Sequence, residues 1–312
     1  MMLSKVAERI YWSARYLERV ESTARMISIY DKTLFDLPKS VTLTWYNLIT
    51  INNMEKAFNE RYSVRDERNV VKFLLGDEKN FSSIVSSLAA IRENIRTTRD
   101  VVLEETWEMT NELSLYVQDN LQQGINRSKR HEFLDSVIKG CQQILGLLYG
   151  NLPHDEAWLF LRLGRNIERA DMTTRNLDAA AAATLDLEEG ENTLNSHQII
   201  WGNVLRSLNA ELPYRRTMSG SVQDAEVVKY LLEDPSLPRA IGHCFDALID
   251  SAKRLPGSEK LVTHLTKARA TLYSSVDYDV LGGPLREYLN DLQITIANVH
   301  QQICETWFPK LD

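Results

Sequence analysis

Hydrophobic positions recur along most of the chain at the three-and-four spacing of helices, and turn-forming residues are confined to a few places. From about Ser4 to Lys32, Val6, Ile10, Leu17, Val20, Ala24 and Ile27 share one arc of a wheel drawn at about 100° per residue. Tyr11, Arg15, Glu18, Glu21, Ser22 and Arg25 form a neighbouring, largely charged arc. Phe35-Asp36-Leu37-Pro38 ends this helix, and Pro38 marks a connector. Apolar patterning resumes near Thr42 with Trp45, Leu48, Ile49 and Asn52, then continues through Val70-Val71-Lys72-Phe73-Leu74-Leu75. After the polar break at Asp77-Glu78-Lys79-Asn80 it returns as Ile84, Leu88, Ile91 and Ile95. Arg92 to Gln123 reads as one long helix and Glu132 to Tyr149 as another, with Gly146 and Gly150 expected to admit close helix approach. In the last helix Leu285, Leu289, Leu292, Ile296, Val299 and Ile303 form a bundle seam, with Gly282-Gly283-Pro284 at its start and Pro309 at its stop.

The same order is written twice. Arg15-Tyr16-Leu17-Glu18-Arg19-Val20-Glu21-Ser22-Thr23-Ala24-Arg25 returns 150 positions later as Arg165-Asn166-Ile167-Glu168-Arg169-Ala170-Asp171-Met172-Thr173-Thr174-Arg175. Trp201, Val204, Leu205 and Leu208 follow Trp45, Leu48, Ile49 and Asn52 at an offset of 156, and Val227-Val228-Lys229-Tyr230-Leu231-Leu232 follows Val70 to Leu75 at 157. The six additional residues fit a longer polar loop at Leu187 to Asn192. Three matches in one order predict an internal duplication, with a first helical repeat over 1–150 and a second over 151–312 in one compact unit. The expected fold class is all-α: an internally duplicated helical bundle with a pseudo-two-fold relation between its halves.

Composition narrows the function classes. Only 13 Gly and 8 Pro occur in 312 residues, which fits helices with short connections. The net charge is −7 and the basic residues are interspersed with acids, so a nucleic-acid partner is not expected. Cys141, Cys244 and Cys304 match neither a CxxC site nor a disulfide framework and are expected reduced and packed. The N-terminus lacks the apolar core of a signal peptide, and no run approaches the roughly 20 apolar residues of a membrane span. A soluble, cytoplasmic protein with no membrane partner is the expectation.

The opening Met2-Leu3-Ser4-Lys5-Val6-Ala7-Glu8-Arg9-Ile10-Tyr11-Trp12, the two Glu-Arg motifs and the segment Asp155-Glu156-Ala157-Trp158-Leu159-Phe160 before the second resemble the alpha-E family. So do Asn94-Ile95-Arg96-Thr97-Thr98-Arg99 with Trp107, and Tyr214-Arg215-Arg216. The likeness covers essentially the whole chain. It implies an all-helical bacterial protein that keeps genomic company with circularly permuted ATP-grasp ligases and transglutaminase-like proteins. An accessory role in the synthesis or modification of peptides or amino-acid derivatives follows from that resemblance, not from periodicity.

Two readings of the Glu-Arg stripes stand side by side. In one, Arg15, Glu18, Arg19, Glu21 and Arg25 and their counterparts Arg165, Glu168, Arg169, Asp171 and Arg175 form salt-bridge ladders; facing helices would pair Arg19 and Glu18 with Glu168 and Arg169. In the other, the arginines grip a carboxylate or phosphate while the acids orient them or bind an amine, as a peptide or amino-acid-like ligand would require. A second basic group, Arg92, Arg96 and Arg99, spaced i, i+4 and i+7 and joined by Tyr214, Arg215 and Arg216, is a candidate anion or partner strip. The six histidines form no HExxH, Asp246 with Asp250 is a weak magnesium pattern, and neither GxxxxGK[ST] nor a strand-linked GxGxxG is present. No metal and no cofactor are expected, and no catalytic residue is assigned. A stand-alone enzyme or small-molecule-binding protein acting on a zwitterionic substrate is the alternative reading.

Overall fold

The computed structural model describes residues 2–36, 43–185, 187, 193–218, 220–278 and 280–308, and every regular element among them is an α-helix. Two long helices, α1 (Ser4–Asp36) and α8 (Glu156–Leu185), lie against each other at the centre. Between them in sequence come α2 (Asn47–Ile51), α3 (Glu55–Asn59), α4 (Glu67–Gly76), α5 (Ile84–Arg96), α6 (Glu104–Ile125) and α7 (Arg127–Asn151). After α8 come α9 (Thr193–Ser207), α10 (Glu211–Thr217), α11 (Asp224–Glu233), α12 (Ile241–Lys253), α13 (Glu259–Ala270) and α14 (Gly283–Trp307). Helices α5 and α7 flank α1, with α6 packed on both; α12 and α14 flank α8, with α13 packed on both.

Because α1 is covered by several neighbours, its charged arc is buried along with its apolar one. Ile10, Leu17, Val20, Ala24 and Ile27 are buried, and so are Arg15, Glu18 and Glu21. The two central helices come into close contact at Gly164. A Cβ built there would lie 2.2 Å from the carbonyl oxygen of Tyr11 and 3.2 Å from Cβ of the fully buried Ala14. Small residues on both helices therefore set the interaxial distance that brings the charged arcs into contact.

Helices α2 and α9 end alike. Asn53 and Asn209 are the two non-glycine residues with positive φ among the described residues, at 54° and 53°. In each case the next amide reaches back to a carbonyl five residues earlier, Met54 N to Ile49 O at 3.1 Å and Ala210 N to Leu205 O at 2.7 Å. Asparagine tolerates this left-handed conformation better than most side chains, which suits it to closing a helix.

Two expectations need correction. The stretch from Arg92 to Gln123 is two helices, because the hydroxyls of Thr97 and Thr98 both donate to Asn94 O at 2.9 Å as α5 ends. The next helix restarts at Glu104 and Glu105, where carboxylates favour the N-terminal dipole. Gly146 and Gly150 do not mediate helix approach: a Cβ at either would meet no atom within 4 Å. That role falls to Gly140 against Leu113, Gly124 against Phe133, and Gly164. Pro38, residues 188–192 of the longer loop and Pro309 lie outside the described residues.

Gly164→Ala is expected to lower stability by about 3 kcal/mol, since the obstacle is backbone and cannot rotate away. Chemical denaturation measures it; a loss well under about 1 kcal/mol would mean that α1 and α8 separate freely.

Candidate functional site

At the α1–α8 contact the two Glu-Arg motifs meet reciprocally. Glu168, 1% exposed, accepts Arg15 Nε at 2.7 Å on Oε2 and Arg19 Nε at 2.6 Å on Oε1, with Arg19 Nη2 adding a 3.0 Å bond. Glu18, 0% exposed, accepts Arg165 Nε at 3.2 Å and Arg169 Nε at 3.0 Å on Oε2. Its other oxygen accepts Arg239 Nη1. Each carboxylate is thus bound by the arginines one turn apart on the opposite helix, so Arg15 serves Glu168 rather than its own-helix neighbour Glu18. Outside this core, Arg25 pairs with Glu21 at 2.7 Å and Arg175 with Asp171 at 2.9 Å, both within their own helices.

The electrostatics follow from burial and pairing together. Burial by itself would raise the Glu168 carboxyl, but Arg19 and Arg15 outweigh it and hold the group at about 2 against an ordinary 4.5. Burial also works against ionised Glu18, and Arg169, Arg239 and Arg165 together drive it still lower. Arg169 sits below its ordinary range, first because it is buried and then because Arg239 and Arg165 repel it, with Glu18 opposing the shift. His300 on α14 lies on the edge of the network: its ring stacks on Tyr11, and a 2.7 Å hydrogen bond joins Tyr11 OH to Nδ1. Burial, then Arg15, push His300 down to about 4.

The same arginines line two cavities. One, of about 400 Å³, is bordered by Arg165, Arg169, Arg239, Glu21, Gln142, Gly146, Tyr149 and Asn209; Arg165 lies 4.6 Å above the Tyr149 ring. The other, of about 440 Å³, is bordered by Arg15, Arg19, Lys56, Glu60, Phe81, Ser82, Glu168, Asp171 and Arg175. Arg15 also has an Nη1 that is buried without a hydrogen-bond partner. Both cavities have the size of ordinary small-molecule sites.

Of the second basic group, the structure brings Arg92 and Arg99 to one ring and gives Arg96, Tyr214 and Arg215 partners of their own. Arg99 lies beyond the C-terminus of α5 and places its guanidinium 3.9 Å above the Trp107 ring, where Arg92 also sits at 5.8 Å. Arg96 makes two 2.8 Å bonds to Glu93, an exposed pair on its own helix. Tyr214 is fully buried and donates to Glu226 at 3.1 Å, while Arg215 pairs with Glu211 on α10. Arg216 is exposed. Arg92, Arg96, Arg99 and Arg215 thus each have a partner on Trp107 or on their own helix. Asp246 and Asp250 are likewise taken, by Arg269 and Arg162, and no group of metal-ligating side chains occurs among the described residues.

Sequence reasoning missed Arg239. It sits between α11 and α12, and the position 157 residues earlier is Ser82, which contacts Arg19 at 3.4 Å. A repeat comparison therefore had no partner arginine to flag it. Arg130 was also missed; it is 1% exposed and ties α7 to Asp31 and Glu67 at 2.6 and 2.8 Å.

Fold and site together define an all-helical bundle organised on a buried Glu-Arg core. The chain belongs to the Alpha-E family, described as a predicted alpha-helical domain with a conserved ER motif, which it matches over residues 2–308. It is similar to uncharacterized proteins of Mycobacterium bovis and Mycobacterium tuberculosis, 21% identical over 332 residues in each case. The match takes in 97% of this chain and 36% of theirs, so the chain spans about a third of the length of these curated relatives. No solved structure matches the chain, and no described helix is long and apolar enough to cross a membrane.

Glu18→Gln and Glu168→Gln are each expected to cost about 3–5 kcal/mol, because buried guanidiniums would lose their counter-charge. Urea unfolding at neutral pH measures this, and a loss below about 1 kcal/mol would show the network to be dispensable. Acid should act in two stages. Neutral His300 is favoured in the folded chain, so its contribution is complete above pH 6.5 and declines as pH falls toward 4. The depressed carboxylates contribute above pH 4.5, and Glu168 loses its share as pH falls toward about 2. His300→Gln is expected to flatten the upper stage of a stability-versus-pH curve and leave the lower one.

Proposed function

We propose that the chain is an accessory binding module that works with an ATP-grasp-type ligase, holding an amino-acid- or peptide-like ligand beside the Glu-Arg core during peptide or amino-acid-derivative synthesis or modification. The observation that carries this reading is that arginines anchored from within by Glu18 and Glu168 also line two cavities. Guanidiniums held in place in this way lose little freedom on meeting a carboxylate, and the acids beside them suit an amine. Further support comes from the relatives, in which the matched region is 36% of a longer chain and is therefore joined covalently to additional sequence. The partnership with a transglutaminase-like protein belongs to the same reading and rests on family resemblance.

The two cavities are read as counterparts produced by an internal duplication of 1–150 and 151–312. Supporting that reading are the reciprocal ion pairs, the matched Asn53 and Asn209 helix ends, and the equivalent flanking of α1 and α8.

The test is to assay the isolated chain, an ATP-grasp-type ligase from the same genome, and the two combined, with ATP and a panel of amino acids and short peptides. Product formation is expected only in the mixture, reduced about tenfold or more by Arg165→Gln. Turnover by the isolated chain would overturn the accessory reading in favour of an enzyme in its own right.

A further inference from the structure

The cavity over Glu18 differs in charge from its counterpart over Glu168. Around Glu18, four guanidiniums, those of Arg25, Arg165, Arg169 and Arg239, share two carboxylates, Glu18 and Glu21. Four positive charges against two negative leave a surplus of two. Counted in the same way, by ion pairs, the opposite side has three guanidiniums, those of Arg15, Arg19 and Arg175, on two carboxylates, Glu168 and Asp171, which leaves a surplus of one. The difference arises where Arg239 occupies one side and Ser82 the other.

Donors remain as well as charge. Arg165 and Arg169 each spend Nε on Glu18, and Arg169 makes no other hydrogen bond to a described residue. Arg239 divides its Nη groups between Glu18 and, at 3.3 Å, Glu21. The bonds to Glu18 fix the guanidiniums from beneath, while the same three side chains border an open space of about 400 Å³. Gly146 keeps that space clear, since a Cβ there would meet nothing within 4 Å.

We propose that this cavity is a binding site for a doubly charged oxyanion, either inorganic phosphate or the phosphate of a monoester, held by Arg165, Arg169 and Arg239. A dianion cancels the surplus, whereas one carboxylate cancels half of it. Planar guanidinium forks also match the oxygen spacing of phosphate, and three of them surround a tetrahedral group better than a planar one. Arg239 and Arg165 also repel Arg169, adding to the effect of its burial, and a dianion between the three would offset that repulsion. The proposal rests on the reading that these cavities hold ligands, but it does not depend on a ligase partner.

The isolated chain is titrated calorimetrically with inorganic phosphate, phosphoserine and acetate. Saturable phosphate binding is expected, with acetate at least about tenfold weaker. Phosphoserine binding tighter than phosphate identifies a monoester as the occupant, and equal or weaker binding identifies the free ion. Arg239→Gln should weaken phosphate about tenfold or more, and Arg239→Lys should restore only part of it. Gly146→Leu fills the cavity from a helix position with free space, so it should abolish binding while the melting temperature holds or rises. Lys56→Gln, in the opposite cavity, should leave phosphate affinity unchanged. Absence of saturable phosphate binding, acetate as tight as phosphate, or binding indifferent to Gly146→Leu and Arg239→Gln would overturn the proposal. Phosphate binding by a chain that assists no ligase would overturn the partnership alone; ligase assistance without phosphate binding would overturn this site alone.

Discussion

Two carboxylates with almost no access to water must each be neutralised by arginines from the other central helix, and the rest of the structure is arranged around that requirement. An isolated carboxylate in such surroundings would take up a proton or unfold the region, because transfer out of water costs far more than packing returns. Glu18 meets Arg165 and Arg169 one turn apart on α8, and Glu168 meets Arg15 and Arg19 one turn apart on α1. Sliding either helix by a residue would strand both acids together. The network therefore acts as a register lock, and Gly164 against Tyr11 supplies the close approach that lets it engage.

Locking the arginines from inside has a consequence outside. Each guanidinium has five donors in a rigid plane, and a carboxylate beneath it uses only some of them. The remaining edges border the cavities on either side of the α1–α8 contact. A structural ladder and the proposed ligand site are thus compatible uses of the same residues: the acids serve the fold, and the arginines that they hold also line the cavities. Arg239 breaks the balance between the two sides, because it reaches Glu18 from a loop and brings a charge that Ser82 does not bring to Glu168.

The helices and the repeated motif were legible in the sequence because both are local. A three-and-four apolar period and an eleven-residue charge order need only neighbours along the chain to be recognised, and α1, α8 and the seam of α14 follow from them. Helix ends set by side-chain bonds were harder to read. Thr97 and Thr98 stop α5 through their hydroxyls although the apolar pattern runs on toward α6, and Arg99 leaves the helix with them. Gly146 carries the composition of a close contact but faces a cavity, since a glycine looks the same in sequence whether the space beside it is filled or empty.

The sequence by itself determined that this chain is helical, that its charged arcs are written twice, and that each arc borders an apolar one. Only the tertiary structure decided which carboxylate each arginine serves, that Arg239 joins them from a distant loop, and that the second basic group is dispersed onto Trp107 and Glu93. The reason is the range of the forces. Periodicity expresses contacts within one helix, whereas the partner of a buried charge is whichever opposite charge the packing of separate helices delivers within hydrogen-bond distance.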